Sequence, residues 1–232
     1  MSDRVETILR RLTLLSMSTL QRRLVFASAA SIVGLLVLSA CAAGPGSSPA
    51  PTSTGAPVGA GIEAARPGLP DGRVIATGTV MDVAGDVQLC LGAVAESDPP
   101  QCTGIPLDAW TWDGVDGSDT SGDTTWGTYA VYGTYDGERY TNTDPPIMLA
   151  LFDPIAPADP TDGVDGTTDT AELASVQDDV TSRLGNDALT VSTERGYVWV
   201  QVVWDDGTIQ DAADAQYGDD VVVVSSALRE ID

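Results

Sequence analysis

The central part of the fold is decided by one stretch, WGTYAVYGTYDGERYTNT, at residues 126–143. Aromatic and β-branched residues dominate the two runs Trp126–Tyr135 and Glu138–Thr143, which predicts two strands. The dipeptide Asp136-Gly137 that separates them is favoured in two-residue hairpin turns. This stretch therefore predicts a long antiparallel hairpin.

Further strand patterns lie on both sides of this hairpin. The runs Val74–Met81 and Val87–Leu91 flank a turn at Ala84–Asp86, and Ile147–Phe152 fits a last strand. No helical period occurs between residues 72 and 152. Five short strands with interspersed glycines predict a small OB-like β-barrel or a β-sandwich, and both alternatives fit the pattern.

The C-terminal region has a different periodicity. Asp169, followed three residues later by Glu172, predicts the start of a helix, and Gly185 predicts its end. The apolar residues between them recur at spacings of three, four and four: Leu173, Val176, Val180 and Leu184.

Four more elements follow this helix. Residues 188–193 and 197–204 predict a hairpin around Glu194–Gly196, and residues 208–216 predict a shorter helix that ends at Gly218. The uninterrupted apolar run Val221–Val224 fits a strand that is covered on both faces or central in its sheet. The order helix, strand, strand, helix, strand predicts a small α/β sandwich with a half-ferredoxin-like connection, so the whole chain is expected to be α+β.

The N-terminal segment carries the signature of a lipoprotein signal. Arg22 and Arg23 precede the apolar run Leu24–Leu38, and Leu38-Ser39-Ala40-Cys41 matches the bacterial lipobox. We expect a signal peptide at residues 1–40 and a diacylated Cys41 as the mature N-terminus. The alternative, an uncleaved membrane-spanning helix, has fewer apolar residues than the roughly 20 that a span requires. Translation from Met1 and from Met17 both fit the pattern.

Composition divides the remaining chain. Residues 41–70 are rich in Pro, Gly, Ser and Thr, which predicts a disordered tether. A β domain is expected at residues 71–153, an acidic linker at 154–168 and an α/β domain at 169–232.

The charge of the chain excludes several function classes. It has 34 acidic residues, 11 Arg, no Lys and no His, for a net charge of −23. Without imidazole or lysine, Ser-His-Asp, Cys-His, histidine-zinc and Schiff-base chemistry are excluded. Such an acidic surface repels phosphate backbones, so nucleic acid is not an expected partner.

Two cysteines remain once Cys41 is lipidated. In an oxidising compartment Cys90 and Cys102 are expected to form a disulfide that closes a short loop. A redox or metal pair is the alternative, but the spacing lacks a CxxC motif and the chain has no histidine.

Two sets of side chains are candidate binding residues. Aromatic rings can stack on sugars, and the candidates for this role are Trp110, Trp112, Trp126 and Tyr129. Oxygen-rich loops with glycine turns suit calcium, and the candidate ligands are Asp113, Asp116, Asp119 and Asp123. The alternatives are ordinary barrel core for the aromatic residues and a solvated loop for the acids, because neither this loop nor the second acidic run, residues 159–169, has the EF-hand spacing. No other cofactor is expected.

Several segments resemble a family of uncharacterised secreted or lipid-anchored proteins of actinobacteria. The resembling segments are Gly78-Thr79-Val80, Leu89-Cys90-Leu91-Gly92, Pro99-Pro100-Gln101-Cys102-Thr103-Gly104, Trp126-Gly127-Thr128-Tyr129, Gly133-Thr134-Tyr135-Asp136-Gly137, Tyr217-Gly218 and Ala227-Leu228. The resemblance implies a shared fold and an extracytoplasmic location, and it implies no activity.

Together these features predict a protein held on the outer face of the cell membrane by a lipid anchor. We expect a non-enzymatic binding or interaction module whose partner is an envelope protein or a cell-wall component. The alternative is a hydrolase of cell-wall glycans that uses carboxylates or bound calcium.

Overall fold

The computed structural model describes residues 61–154 and 156–231. The predicted signal peptide, Cys41 and most of the predicted tether lie outside these residues. The described part is α+β, with eleven strands, two α-helices and short 3-10 turns. The strands are β1 (Val74–Val83), β2 (Asp86–Cys90), β3 (Ile105–Asp108), β4 (Asp119–Ser121), β5 (Thr124–Tyr135), β6 (Tyr140–Asn142), β7 (Ile147–Met148), β8 (Ala188–Glu194), β9 (Tyr197–Val202), β10 (Val222–Ser226) and β11 (Arg229–Glu230). The helices are α1 (Thr170–Leu184) and α2 (Thr208–Tyr217), and the 3-10 turns are Ile62–Ala64, Leu149–Leu151 and Gly185–Asp187.

Five of the strands close into a barrel. β1, β2 and β3 pair antiparallel in sequence order, β6 runs parallel to β3, and β5 pairs antiparallel with both β6 and β1. β11 and β2 flank the two ends of β1, while β4 and β7 add to β5. Closure leaves the barrel strands without a free edge along most of their length.

Two tyrosines fill the barrel interior. Tyr129 on β5 and Tyr140 on β6 are both fully buried. Gly127 and Gly133 lie on the same face of β5 as Tyr129, and a Cβ at either position would overlap a tyrosine ring. The glycines in the sequence motif therefore make room for the aromatic core.

The predicted hairpin forms, but its turn differs from the expected one. β5 ends at Tyr135 and β6 begins at Tyr140, so four residues connect the strands rather than two. The carboxylate of Asp136 accepts hydrogen bonds from the backbone N–H groups of Glu138 and Arg139 at 3.0 and 2.8 Å. These bonds stabilise the longer loop, since a side-chain acceptor satisfies backbone donors that a tight turn would leave unpaired.

One further strand prediction needs correction, and three strands were missed. The expected last strand of the barrel, Ile147–Phe152, is a strand for only two residues and then turns into the 3-10 helix Leu149–Leu151. The two-residue strand β11 was missed, and so were β3 and β4. Both are only a few residues long, and they are ordered by pairing with β2, β6 and β5 rather than by a local pattern.

The disulfide prediction is confirmed. Cys90 at the end of β2 is bonded to Cys102, and their Cα atoms are 6.1 Å apart. The bond closes the loop between β2 and β3.

The C-terminal elements form a three-stranded sheet covered by the two helices. Asp169 caps α1 by accepting hydrogen bonds from Ala171 N and Glu172 N, as predicted. β9 is the central strand, with β8 antiparallel on one side and β10 parallel on the other. β10 is therefore an edge strand, and its apolar run reflects cover on both faces because Val222 and Val223 are both buried. We call α1, β8, β9, α2 and β10 the α/β layer.

The structure overturns the predicted tether at its C-terminal end. Ile62 is 1% exposed and belongs to the same apolar cluster as Leu184 and Val200. Its backbone N–H donates to Gln216 Oε1 at 2.9 Å, and the neighbouring Glu63 pairs with Arg183. Residues 61–70 are thus part of the folded protein, because one buried isoleucine and these bonds offset the cost of ordering them.

The C-terminal segment also completes the barrel. Leu228 is buried in the barrel's apolar cluster, and Val203 and Trp204 pack against that cluster. β11 pairs with the start of β1. The barrel core therefore combines side chains of β1 with Leu228 from the C-terminal segment.

Candidate functional site

Three of the four candidate aromatic residues lie together. Trp110 and Trp112 belong to the loop between β3 and β4, residues 109–118, which we call the Trp loop. Their ring centroids are 5.2 Å apart in an edge-to-face arrangement, and Trp110 lies 5.4 Å from the ring of Tyr129. The loop thus covers the barrel with an aromatic cluster, a geometry that adds specific attraction to the burial of apolar area.

This packing does not form the sugar-stacking surface considered above. Tyr129 has no exposed area, and the partly buried Trp110 and Trp112 meet edge to face and pack against the barrel core. Trp126 is separate, since it lies on the opposite face of β5 from Tyr129, where it pairs with Met81. The barrel-core interpretation describes Trp110, Trp112 and Tyr129 better, whereas Trp126 lies outside the barrel core.

Polar bonds and close packing fix the Trp loop on the barrel. Trp112 Nε1 donates to Asp82 Oδ2 on β1 at 3.0 Å, and the Tyr129 hydroxyl donates to the backbone oxygen of Asp116 at 3.0 Å. Burial, followed by the nearby carboxylates, raises the pKa of Tyr129, so the phenol stays a neutral donor. Gly117 has a φ of 80°, and a Cβ at this position would come within 2.7 Å of the Met148 sulfur, so a side chain here would be both strained and crowded.

A cavity of about 570 Å³ opens between the Trp loop and the segment that follows β6. We call it the Trp-loop cavity. Its volume falls in the range of small-ligand sites, roughly 300–1,000 Å³. The lining residues are Ala109, Thr111, Asp113, Gly114, Val115, Asp116, Tyr129, Asn142, Thr143, Asp144, Pro145, Pro146, Ile147, Met148 and Leu151.

One wall of the cavity is polar and negatively charged. Asp113, Asp116 and Asp144 line it, and no arginine is among the lining residues. Asp144 is paired with Arg73 and also accepts from Thr143 Oγ1. In the part of the chain that the structure describes, neither Asp113 nor Asp116 takes part in a salt bridge.

Two buried polar atoms of this region have no hydrogen-bond partner within the described residues: Asn142 Oδ1 and Trp110 Nε1. Asn142 ends β6, and it lines the cavity. Buried polar atoms are nearly always paired in native proteins, so each such atom calls for an explanation. Asn142 Oδ1 has less than 1 Å² of accessible surface, so a donor in the cavity does not reach it, and the described residues supply no partner for either atom.

The four aspartates considered for calcium are not assembled into a site. Asp113 and Asp116 line the cavity, while Asp119 lies in β4 and Asp123 in the turn after it. Within residues 61–154 and 156–231, no group of three or more carboxylate or thiol side chains is placed to hold a metal ion.

The second acidic run is organised by an arginine of the protein itself. Arg195, in the turn between β8 and β9, donates to Asp159 Oδ2 at 2.9 Å, to Asp165 Oδ1 at 3.2 Å and to the backbone oxygen of Val164. The guanidinium, followed by the Thr161 hydroxyl, holds the pKa of Asp159 well below its usual range. The cation that this acidic loop binds is therefore the guanidinium group of Arg195.

The sequence did not identify Asn142, Asp144 or the apolar segment 145–151 as site residues. Asn142 lay inside a predicted strand, and no local motif marks an asparagine whose side chain lacks a partner. The one local signal was Asp144-Pro145-Pro146, which directly follows a predicted strand and therefore marks a loop, where binding residues are common.

No helix in the described residues is both long and apolar enough to cross a membrane. Comparisons of the chain with protein-family models, with curated proteins and with solved structures found no match.

Proposed function

We propose that this protein is a lipid-anchored binding module on the extracytoplasmic face of the cell membrane, and that the Trp-loop cavity is its ligand site. The observation that carries the proposal is the cavity itself, which has the volume of a small-ligand site and is lined on one side by a loop that an aromatic cluster holds on the barrel. The resemblance to secreted actinobacterial proteins supports the location.

The anchor is supported by the sequence alone. The apolar run Leu24–Leu38 has the length of a signal peptide, and the lipobox places Cys41 immediately after it. A diacylglyceryl group supplies two acyl chains, which suffices for stable membrane attachment. Because Ile62 is packed in the fold, residues 41–60 would form the tether, which as a coil reaches on the order of 25 Å.

The strand order supports an OB-like barrel. A three-stranded meander, a parallel pairing between β3 and β6, and closure through β5 onto β1 are the connections of that architecture. The order of the α/β layer supports the half-ferredoxin-like connection. Barrels of this kind are common binding scaffolds, because their loops change without disturbing the core.

The ligand site does not require catalytic residues. The chain has no histidine or lysine, and the cavity presents carboxylates, an amide and threonine hydroxyls. These groups can orient a ligand by hydrogen bonds while the apolar wall desolvates it. The alternative function, a carboxylate- or calcium-dependent hydrolase of wall glycans, would require two of these carboxylates to act as acid and base.

Two experiments test the two halves of the proposal. For the anchor, a Cys41→Ser variant is expected to lose labelling by radioactive palmitate and to leave the membrane fraction. Unchanged labelling and partition would refute the lipid anchor.

For the site, Asn142→Leu is expected to abolish binding of whichever compound is retained from a panel of envelope extract, wall glycans, peptides and calcium. The matched control is Asn186→Leu, which makes the same exchange in an exposed turn after α1. Equal binding by both variants would place the ligand elsewhere. Turnover of a glycan that is lost on changing Asp113 or Asp116 would favour the hydrolase.

A further inference from the structure

We infer that the side chain of Gln210 closes one edge of the α/β layer against pairing with a second copy of this chain, and so keeps the protein monomeric at that edge. This inference goes beyond the proposed ligand site and does not depend on it. Three features carry it: the direction of the outer backbone groups of β10, the way in which Gln210 occupies them, and the sequence of the strand.

The edge strand β10 has a strand partner on one side only. Val198 N donates to Val221 O at 2.9 Å, and Ala227 N donates to Val202 O at 2.8 Å, so the odd-numbered residues in and around β10 direct their backbone groups towards β9. Because these groups point to alternate sides along a strand, the even-numbered residues direct theirs away from the sheet. A strand with free outer groups can pair with a further strand.

Gln210, in the first turn of α2, occupies two of these outer groups. Its Nε2 donates to Val222 O at 2.9 Å, and its Oε1 accepts from Val224 N at 2.8 Å. The side-chain amide therefore makes the two bonds that backbone groups of a neighbouring strand would make. Nε2 also donates to Asp214 Oδ1 at 2.8 Å, one turn further along the helix. Because a carboxylate only accepts, this bond fixes which way the amide faces.

The sequence of β10 explains why this edge requires protection. Residues 221–227 read Val-Val-Val-Val-Ser-Ser-Ala, with no charged residue and no proline. Segments of this length with high β-propensity and no charge are the ones that associate edge to edge. Ser225 is exposed and Val224 is half-buried, so another chain can reach the middle of the strand.

The opposite edge of the same sheet, β8, is protected in other ways. Gln177 of α1 makes a single bond there, from Nε2 to Val191 O at 3.4 Å. The strand ends in the charged residue Glu194, and Gly166 N donates to Arg195 O in the turn that follows. Loss of the Gln177 amide should therefore leave this edge closed, which makes Gln177 the matched control.

The partner that fits the outer side of β10 is a second copy of the same strand. Two copies related by a twofold axis would place their β10 strands antiparallel and join their three-stranded sheets into one. The donors and acceptors of Val222 and Val224 would then meet complementary groups of the other copy. The net charge of −23 opposes this contact, so association is expected where salt screens the charge.

The test measures the mass of the full-length protein by light scattering after size-exclusion chromatography. The buffer contains a neutral detergent, with micelles in excess over protein, and about 0.5 M salt to screen the charge. The variant Gln210→Met keeps the length of the side chain and removes its amide. We expect the parent to stay monomeric and the mass of Gln210→Met to rise towards that of a dimer as its concentration approaches about 100 μM.

Two further variants locate the contact. Gln177→Met makes the same exchange at another half-buried helix glutamine and should stay monomeric. Gln210→Met/Val224→Pro should be monomeric again, because proline removes the N–H that Gln210 no longer covers, and an edge strand tolerates proline at such a position. If association came from lower stability alone, this double variant would associate more than Gln210→Met.

Amide hydrogen exchange gives an independent measurement. In dilute Gln210→Met, the Val224 N–H should exchange at least about tenfold faster than in the parent, and raising the protein concentration should restore its protection. Ile209 and Ala213 still hold α2 on the sheet, so each variant should keep the circular dichroism spectrum of the parent.

Four results would each overturn the inference. They are a parent that is itself a dimer, a Gln210→Met variant that stays monomeric up to about 100 μM, equal association of Gln177→Met, and association that persists in the double variant. None of them would bear on the Trp-loop cavity, because Gln210 and β10 are not among its lining residues.

Discussion

The barrel and the α/β layer solve the same problem, the filling of a small core, in different ways. The α/β layer buries aliphatic side chains such as Val180, Val198 and Val200; Asp169 caps the start of α1, and both helices end at a glycine. The barrel buries two tyrosines, and their hydroxyl groups bond to backbone oxygens of other segments. The Tyr129 hydroxyl thereby joins the barrel core to the Trp loop, and the Tyr140 hydroxyl joins two strands. A loop held in one position in this way is suited to a ligand site.

The largest effect on stability is expected from the barrel core. Tyr140 is fully buried, and its hydroxyl lies 2.9 Å from the backbone oxygen of Val74 and 2.8 Å from that of Val131, on two different strands. Tyr140→Ala should lower the free energy of unfolding by about 3–5 kcal/mol, measured by denaturant titration. Tyr140→Phe removes only the hydroxyl and should cost about 1 kcal/mol. Equal losses in both variants would show that the ring contributes little.

The contrast also explains how much the sequence could predict. Both helices of the α/β layer were predicted to within about one residue, because Asp169, Gly185 and Gly218 act on their immediate neighbours. In the barrel, β1, β2 and β5 were predicted from their long β-branched and aromatic runs. β3 and β4 were not, since strands of three or four residues are stabilised by partners distant in sequence.

The same reason limits the prediction of the site. Trp110, Trp112 and Tyr129 could be grouped because aromatic residues with nearby acids form a visible pattern. The pairing of Asp108 on β3 with Thr141 on β6 brings the Trp loop next to Asn142, and nothing local in either segment encodes that pairing. The sequence of residues 109–118 fits a solvated loop as well as a loop packed on the barrel. Only the tertiary structure distinguishes the two, for example through the close approach of Met148 to Gly117.

A second prediction asks whether barrel and α/β layer unfold together. Leu228 lies beyond the last strand of the α/β layer, yet it is buried in the barrel cluster, so Leu228→Ala should cost about 2–5 kcal/mol. Unfolding is followed by helical circular dichroism and by tryptophan fluorescence in a Trp199→Phe background, in which the remaining four tryptophans lie in or against the barrel, and the two signals should give one coincident transition. The control Leu69→Ala changes a residue that is 57% exposed and should cost less than about 0.5 kcal/mol. Two separate transitions would instead support independent β and α/β domains.

A third, smaller effect tests where the tether ends. Ile62→Ala should lower the free energy of unfolding by about 2 kcal/mol or slightly more, because Ile62 packs against α1 and α2 at the edge of the core. The graded control Ile62→Val should cost about 0.5–1.5 kcal/mol. Thermal melts of the three proteins should follow this order. Identical melting temperatures would show that Ile62 does not stabilise the fold, and residues 61–70 would then belong to the tether.

The smallest effect concerns the acidic loop around Arg195 and depends on pH. The guanidinium holds the pKa of Asp159 below that of an aspartate in the unfolded chain, about 3.9. A depressed folded pKa stabilises the protein above pH 4, and that contribution is lost as the pH falls towards the folded value.

Asp159→Asn should therefore lower the melting temperature at pH 6 by no more than about 3 °C, since the pair is exposed, and the difference from the parent should shrink between pH 4 and pH 2. Asp162→Asn is the control: it removes the same charge from the same loop, and within the described contacts Asp162 has no bond to Arg195. If both variants show the same pH dependence, the loop responds to total charge. If only Asp159→Asn changes the pH dependence of the melting temperature, the specific pair of Asp159 with Arg195 stabilises the loop.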